Sequence, residues 1–210
     1  MERLLGVTQV LLELLAKPGK ARTARLTITD EGVDVNGDGF RWGEITRIQY
    51  RAIDQHVNGA YMHTSFTLGV GDARHAATFM MFSGTTGALK TKVDHATRTA
   101  FHERWARAAD LLEHRAGVRL AADAVAAVHG GAVAEMAGLR LDGAGVHKGG
   151  LFRRSIAWAE YAGVRRESMY LHLLARRGDK AKSRIQVHNG AWNVTVLPRV
   201  LAALTPGGGK

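Results

Sequence analysis

The chain has 210 residues, a formal net charge of +10 and no cysteine. This length fits one large domain or two small ones. The absence of cysteine excludes a disulfide scaffold, a thiolate metal site and a cysteine nucleophile. A hydrophobic fraction of 46% is typical of a globular chain rather than a disordered one.

The positive charge is concentrated in the second half of the chain. Residues 131–210 contain 13 Lys or Arg against five Asp or Glu, whereas the preceding residues are close to neutral. A basic surface attracts anionic partners such as nucleic acid, lipid headgroups or an acidic protein. The alternative interpretation is a solvated basic surface with no partner, because charge alone does not identify a ligand.

The first 19 residues contain apolar side chains at spacings of three and four, which predict an amphipathic helix over residues 1–19. We expect this helix to pack on the chain's own core, with docking on a membrane surface or a partner as the alternative. Gln9 and Glu13 interrupt the apolar stretch, so we expect neither a transmembrane segment nor a signal peptide. The residues on the shared face are Leu4, Val7, Leu11, Leu14 and Leu15.

Residues 26–48 and 139–164 share one pattern. In each stretch a Gly-Val pair (Gly32, Gly145) comes six residues after a leucine, and a Trp-x-Glu triplet (Trp42, Trp158) follows a further predicted strand. An internal repeat of this length indicates two copies of one small fold. At equivalent positions of a repeat, we expect the two tryptophans to anchor the core rather than to serve as ligand platforms.

The rest of the first copy is predicted to be a strand meander that ends in a helix. Strands over residues 47–57 and 60–70 flank Asn58-Gly59, which is a strong signal for a type I′ hairpin turn. A third strand contains alternating apolar residues at 77, 79 and 81. The helix is predicted from a stripe that faces a core, with Gly117 as its end, and an Ala-rich helix follows. The stripe consists of Phe101, Trp105, Ala108 and Leu112.

The second copy is predicted to contain a strand over residues 154–165, a strand over residues 170–175 and a strand through Ile185 and Val187. Its end has two interpretations. Asn193 caps a last helix that contains Pro198, or a hairpin passes through Asn189-Gly190 and a short helix begins at Pro198.

A meander of six or seven strands closed by a C-terminal helix is the plan of the pleckstrin-homology-like (PH-like) barrel. The strings FRWGEI, HVNGAYMHTSFTL and IAWAEYAGV resemble an uncharacterised tandem PH-like family of actinobacteria, over residues 22–204. The resemblance implies a mainly β fold with α (α+β), made of two tandem PH-like barrels, and it implies no catalytic residues. The expected organisation is an N-terminal helix (1–19), a first PH-like domain (20–117), a connecting helix (118–131), a second PH-like domain (132–206) and a flexible tail (207–210).

The sequence contains no motif that would support catalysis or a cofactor. It has no Gly-x-Ser-x-Gly elbow and no phosphate-binding Gly-x-x-x-x-Gly-Lys-Ser/Thr loop. None of the ten histidines forms an i,i+4 pair with a nearby Glu, which is the arrangement of a helical zinc site. We therefore expect a non-enzymatic protein with no metal or cofactor.

The basic residues of the second copy are the candidate site. In lipid-binding PH domains, cations on early strand hairpins hold inositol phosphates by charge-assisted hydrogen bonds. By position only, the resemblance implies an anion-binding rim here. The candidate residues are Lys148, Arg153, Arg154, Arg176, Arg177, Lys180 and Lys182.

Three functions are compatible with this reading. The first is a cytoplasmic binding or scaffold module that contacts a protein, a peptide or another copy of itself through a barrel edge or the N-terminal helix. The second is peripheral binding of anionic lipid, at the inner face of the membrane, by the basic second domain. Nucleic-acid binding is less favoured, because basic and aromatic residues are not interleaved on one strand face.

Overall fold

The computed structural model describes residues 8–16, 23–83, 95–150, 153–167 and 169–205. The chain divides into two compact units, with the boundary between Ala116 and Gly117. Both units are mainly β with helices, so the α+β class predicted from the sequence is confirmed.

The first unit contains two antiparallel sheets and a helix. Strands β1 to β4 form one sheet in chain order, strands β5 to β7 form the other, and helix α1 follows. Their bounds are β1 Val10–Leu15, β2 Arg25–Thr29, β3 Gly32–Val35, β4 Asp38–Arg41, β5 Arg47–Val57, β6 Ala60–Gly71, β7 Ala76–Phe82 and α1 His95–Leu112.

The second unit begins with helix α2 and then repeats the same order of elements. Strands β8 to β11 form a sheet in chain order, strands β12 to β14 form the next, and helix α3 ends the unit. The bounds are α2 Val118–His129, β8 Ala134–Met136, β9 Leu139–Asp142, β10 Gly145–Lys148, β11 Arg154–Ala157, β12 Tyr161–Glu167, β13 Tyr170–Arg177, β14 Lys180–His188 and α3 Leu197–Leu204.

The repeat of the sequence is thus a repeat of structure. Each unit has a four-stranded meander, a three-stranded meander and a closing helix. In the described part of the chain the strand pairs form four separate sheets, so the strand ladders do not close into two barrels. Each sheet buries one face, because apolar side chains alternate along the strands; Leu26, Ile28 and Phe66 of the first unit are fully buried.

The Asn58-Gly59 hairpin forms where the sequence predicts it. Both turn residues have positive φ, 50° for Asn58 and 78° for Gly59, as a type I′ turn requires. Strand β5 has the predicted bounds, and β6 extends one residue beyond its predicted end.

The prediction of an N-terminal helix is wrong for residues 10–15, which form strand β1 and pair antiparallel with β2. Leu14 faces the core at 2% exposure, and the neighbouring Glu13 faces outward in an ion pair with Arg25 at 3.2 Å. The apolar pattern of this stretch fits the period of a strand as well as that of a helix. Pairing with β2 decides between them, because a strand here also satisfies the backbone groups along the edge of β2, which a helix would leave unpaired. Residues 1–7 and 17–19 of the predicted helix lie outside the described residues.

Contrary to the prediction from the sequence, Gly117 does not end the helix of the first unit, because the chain remains helical through it. Its φ and ψ of −61° and −40° are right-handed helical, whereas a glycine that ends a helix adopts the left-handed region. The chain passes from α1 into α2 through a π-helical turn, Glu113–Gly117. The helix ends at Gly130 and Gly131, and Gly131 has a φ of 80°.

Two further predictions in the second unit are corrected. The strand predicted over residues 154–165 is split by a single 3₁₀ turn, Trp158–Glu160, so β11 and β12 belong to different sheets. The last helix begins at Leu197, with Pro198 in its first turn, where a missing N–H leaves no hydrogen bond unmade. Asn193 has a φ of 62° and does not cap the helix, and no strand follows Asn189-Gly190 among the described residues to form a hairpin.

Candidate functional site

The two tryptophans of the repeat, Trp42 and Trp158, hold the same turn in both units. The Trp42 indole N–H donates to the carbonyl of Thr29 at 3.1 Å, and the Trp158 indole N–H donates to the carbonyl of Asp142 at 2.8 Å. Each acceptor residue precedes the repeat glycine by three positions. Both tryptophans are half-buried, and their polar atom is used within the fold, as expected of an anchor.

The side chains of these two acceptor residues, Thr29 and Asp142, also form equivalent hydrogen bonds. The Thr29 hydroxyl accepts the backbone N–H groups of the residues two and three positions later, and the Asp142 carboxylate does the same. Thr29 and Asp142 therefore close equivalent turns. In the second unit the turn residue is charged, and this charge lies beside a cationic depression.

The depression has a volume of about 550 Å³ and lies at the β9–β10–β11 end of the second unit. Three of the seven predicted site residues line it: Lys148, Arg153 and Arg154. Arg140 and His147 also line it, although they were not predicted. Strand pairing places Arg140 directly opposite His147, on the face of the sheet away from the buried Leu141 and Val146. The remaining lining residues are Asp142, Gly149, Gly150 and Ser155.

The signal for Arg140 and His147 was present in the sequence. In LRLDGAGVHK the apolar residues alternate with Arg140 and His147, so a hairpin through the intervening glycines sets both side chains on its polar face. Arg140 and His147 belong to no run of basic residues along the chain, so a prediction based on such runs does not include them.

Lys148 and Arg154 are already used within the fold. Lys148 Nζ donates to the carbonyl of Gln186 at 2.5 Å, and Arg154 Nη1 donates to the carbonyl of Arg184 at 3.3 Å. Both acceptors lie on β14, the edge strand of the other sheet of this unit. These two cations therefore connect the two sheets where strand pairing is absent.

Arg140 and Arg153 are the cations most available to a ligand. Both are exposed, and neither forms an ion pair or a side-chain hydrogen bond within the described part of the chain. Five N–H groups in a planar fork fit the oxygens of a phosphate or a carboxylate. The depression thus combines two engaged cations with two guanidinium groups that are free to bind an anion.

Of the described residues that line the depression, one has a carboxylate: Asp142, which pairs with His147 at 3.1 Å. Partial burial tends to raise the pKa of Asp142. The hydrogen bonds from the His147 imidazole and from the backbone N–H groups of Ala144 and Gly145 outweigh this effect, so the pKa lies below its ordinary value of 3.8. Asp142 therefore stays ionised and occupied by internal donors, which limits its repulsion of an incoming anion.

The Asp142→Asn variant is expected to be less stable than the wild type at pH 7, with a difference that shrinks as the pH falls below 3.8. A carboxyl group whose pKa is lower in the folded state stabilises the fold above its unfolded pKa, and this contribution disappears as the pH falls through the folded pKa. Urea unfolding midpoints at a series of pH values measure the difference. Asp179→Asn, in an exposed turn, is the control; a pH-independent difference for Asp142→Asn would contradict the assignment.

The other four predicted residues lie apart from the depression. Arg176, Arg177, Lys180 and Lys182 flank the β13–β14 turn, where Arg177 pairs with Lys180 in the strand register. All four are exposed, and none lines the depression. The seven residues are therefore divided between a hairpin depression and a separate turn.

The first unit contains a polar cluster that no sequence pattern predicts. The buried Thr64 hydroxyl donates to Asp54 at 2.6 Å and lies 2.8 Å from the Tyr61 hydroxyl and 3.3 Å from His102 Nε2. A hydroxyl has one proton, so Tyr61 and His102 act as the donors to Thr64. The buried Ser83 hydroxyl lies 2.7 Å from that of Tyr61 and accepts the Thr64 backbone N–H at 2.8 Å.

Arg98 of helix α1 completes this cluster. Its guanidinium lies 4.0 Å from the centre of the Tyr61 ring and donates to Asp54 at 3.4 Å. The cluster therefore joins α1 to the sheet of β5, β6 and β7. Because the Thr64 and Ser83 hydroxyls are buried and fully used, the arrangement supports the fold rather than a nucleophile.

In the described residues, no group of three His, Asp or Glu side chains is arranged to hold a metal ion. None of the described helices is both long and apolar enough to cross a membrane. The sequence matches no family model, no curated protein and no solved structure. The function is therefore inferred from the chain's own residues.

Proposed function

We propose that this protein is a non-enzymatic binding module of two PH-like units, and that its second unit binds anionic lipid headgroups at the cationic depression. The order of elements supports the PH-like assignment, because a four-stranded meander, a three-stranded meander and a closing helix occur in each unit. An analogy of fold does not identify a ligand. The ligand is inferred from the depression itself.

The class of ligand is inferred from two arginines that form no ion pair and no side-chain hydrogen bond within the described part of the chain. Arg140 and Arg153 line a depression in which the only carboxylate among the described lining residues, that of Asp142, is held by internal hydrogen bonds. Residues 131–210 carry eight more positive than negative charges, so the surrounding surface also attracts anions. Bidentate hydrogen bonds from arginine suit a phosphate group.

A membrane surface suits this arrangement better than one soluble anion. The free guanidinium groups are exposed, and the exposed basic residues of the β13–β14 turn provide further charge on the same unit. Each Lys or Arg near an anionic bilayer contributes about 1 kcal/mol, so several weak contacts add up to stable peripheral binding. The proposed location is the inner face of the membrane.

The double variant Arg140→Gln/Arg153→Gln is expected to bind anionic vesicles roughly 30-fold more weakly than the wild type, since two basic residues contribute about 2 kcal/mol. Co-sedimentation with vesicles of neutral phosphatidylcholine, and of phosphatidylcholine with an anionic lipid, measures the partitioning across a salt series. Binding should require the anionic lipid and weaken as salt increases.

A matched control removes the same charge elsewhere in the unit. Arg166→Gln/Arg184→Gln changes two exposed arginines that neither line the depression nor belong to the basic residues of the β13–β14 turn, and it should retain most of the binding. Equal losses in the two double variants would mean that only net charge matters. No binding at low salt would refute the lipid proposal, and a salt-dependent shift of RNA or DNA would favour nucleic acid instead.

A further inference from the structure

The cationic depression of the second unit contains a side chain of the type that changes its charge near neutral pH. Arginine and lysine stay protonated there, and Asp142 stays ionised because its pKa lies below the ordinary value. Among the described lining residues only His147 has an imidazole, the group that gains a proton between about pH 8 and pH 5. Over this range the charge of the described lining residues therefore depends on His147.

Strand pairing places His147 among the cations of the depression. The residues directly opposite it are Arg140 on β9 and Ser155 on β11. Its Nε2 lies 3.1 Å from Asp142, and its side chain keeps 35% exposure, so an anion in the depression can approach the ring. The charged groups around it are Arg140 and Asp142 of β9, Lys148 of β10, Arg154 of β11, Arg153 beside β11, and Glu135, which lies opposite Arg140 on β8.

The first unit shows that the fold does not require the pair of His147 and Asp142. Thr29, the counterpart of Asp142, closes the equivalent turn with an uncharged hydroxyl. The counterpart of His147 is Asp34, since each lies two residues after the repeat glycine. The charge of Asp142 is therefore not needed to close the turn, and what it adds is a partner for His147.

Protonation of His147 makes the depression more attractive to anions. An ionised carboxylate only accepts hydrogen bonds, so the neutral imidazole donates from Nε2 to Asp142. The imidazolium has a second N–H, and its charge offsets that of Asp142. The four cations and one carboxylate of the described lining residues are then joined by a fifth positive charge.

We propose that His147 makes anion binding at the depression dependent on pH, so that the second unit binds an anionic bilayer more tightly in mildly acidic solution. This inference rests on the proposed function, since the anion is the same lipid headgroup. The coupling is reciprocal: a proton on His147 strengthens anion binding, and a bound anion favours the proton by the same factor. The expected factor is about five-fold, which is the contribution of one basic charge near an anionic bilayer.

Co-sedimentation with vesicles of phosphatidylcholine and phosphatidylglycerol between about pH 8 and pH 5 tests the coupling. The phosphodiester of phosphatidylglycerol keeps its single charge over this range, so a change in binding arises from the protein. Wild-type binding should increase by up to about five-fold on acidification. His147→Gln, which is always neutral, should keep the weaker binding at both pH values, and His147→Lys, which is always charged, should keep the tighter binding.

His129→Gln is the matched control, because His129 is an exposed histidine of the same unit and is not among the described residues that line the depression. It should bind more tightly on acidification, as the wild type does. Wild-type binding that does not change with pH would overturn the proposal, and so would an equal increase in His147→Gln. Circular dichroism at both pH values checks that each variant remains folded.

A second measurement separates this coupling from the lipid proposal. Sulfate, an anion of constant charge over the same range, replaces the headgroup, and the NMR signal of the His147 ring, assigned by its loss in His147→Gln, follows proton uptake. By reciprocity, sulfate should move protonation of His147 to higher pH than chloride does at equal ionic strength, and Arg140→Gln/Arg153→Gln should abolish this difference. A sulfate effect without vesicle binding would support the coupling and refute only the lipid. Equal titrations in sulfate and chloride would overturn the coupling even if vesicles bind.

Discussion

Replacing Gly145 with alanine is expected to destabilise the second unit by about 3 kcal/mol or more. A Cβ at this position would lie 2.1 Å from the carbonyl oxygen of Ile156 and 2.9 Å from the Cα of Ala157. Both obstacles are backbone atoms of β11, the strand that pairs with β10. Because backbone cannot rotate aside as a side chain can, the two strands must separate, and the buried Val146 and Ile156 lose packing.

Gly143→Ala is the control for this change. Gly143 lies in the same hairpin, and a Cβ there would have no neighbour within 4 Å. Its effect on the urea midpoint should be small. The repeat predicts that Gly32→Ala behaves like Gly145→Ala, since its Cβ would lie 2.1 Å from the carbonyl of Phe40. If Gly145→Ala unfolds at the same urea concentration as Gly143→Ala, the close approach of β10 and β11 is wrong.

Phe66→Ala is expected to destabilise the first unit by about 3–5 kcal/mol. Phe66 is fully buried on β6, and its ring centre lies 4.9 Å from that of His102 and 5.7 Å from that of Trp105, both on helix α1. Truncation leaves a cavity between sheet and helix and removes these ring contacts. Hydrogen exchange should therefore increase in α1 as well as in β6.

Met62→Ala, on the same strand, provides the comparison. Met62 is 40% exposed, so we expect a change within about 0.5 kcal/mol. Phe66→Leu should recover part of the stability, because it restores apolar volume but not the aromatic contacts. A loss of stability in Phe66→Ala without faster exchange in α1 would show that the ring does not hold the helix on the sheet.

Predictions that depend only on residues adjacent in the sequence were confirmed. The β5–β6 hairpin forms as predicted, because Asn58-Gly59 specifies a turn whose backbone angles few other pairs adopt. Prediction failed where a local pattern has two solutions. The apolar residues around Leu14 fit a helix and a strand, and only pairing with β2 excludes the helix. Gly117 resembles a helix end, but its backbone angles continue the helix.

The candidate site divides in the same way. Lys148, Arg153 and Arg154 were recognisable because they lie close together in the sequence, and all three line the depression. The sequence did not show that two of them bind the second sheet of the unit and that only Arg153 remains available to a ligand. Lys148 and Arg154 donate to carbonyls on β14, which lie 38 and 30 residues further along the chain. The Asp54 and Thr64 cluster was missed because its members come from two strands, the residue that follows β7, and a helix.

By itself, the sequence determined that the chain is an α+β protein built as a repeat, and that most of its net positive charge lies in the second copy. The strands follow from the alternation of apolar and polar residues and from the turn residues between them, which are local patterns. The net charge follows from a sum over residues, which does not depend on how they are arranged in space. Only the tertiary structure decided which cations of the depression are engaged within the fold and which carbonyl groups the tryptophan side chains bind. Those outcomes depend on partners brought together from distant parts of the chain, and no local pattern specifies them.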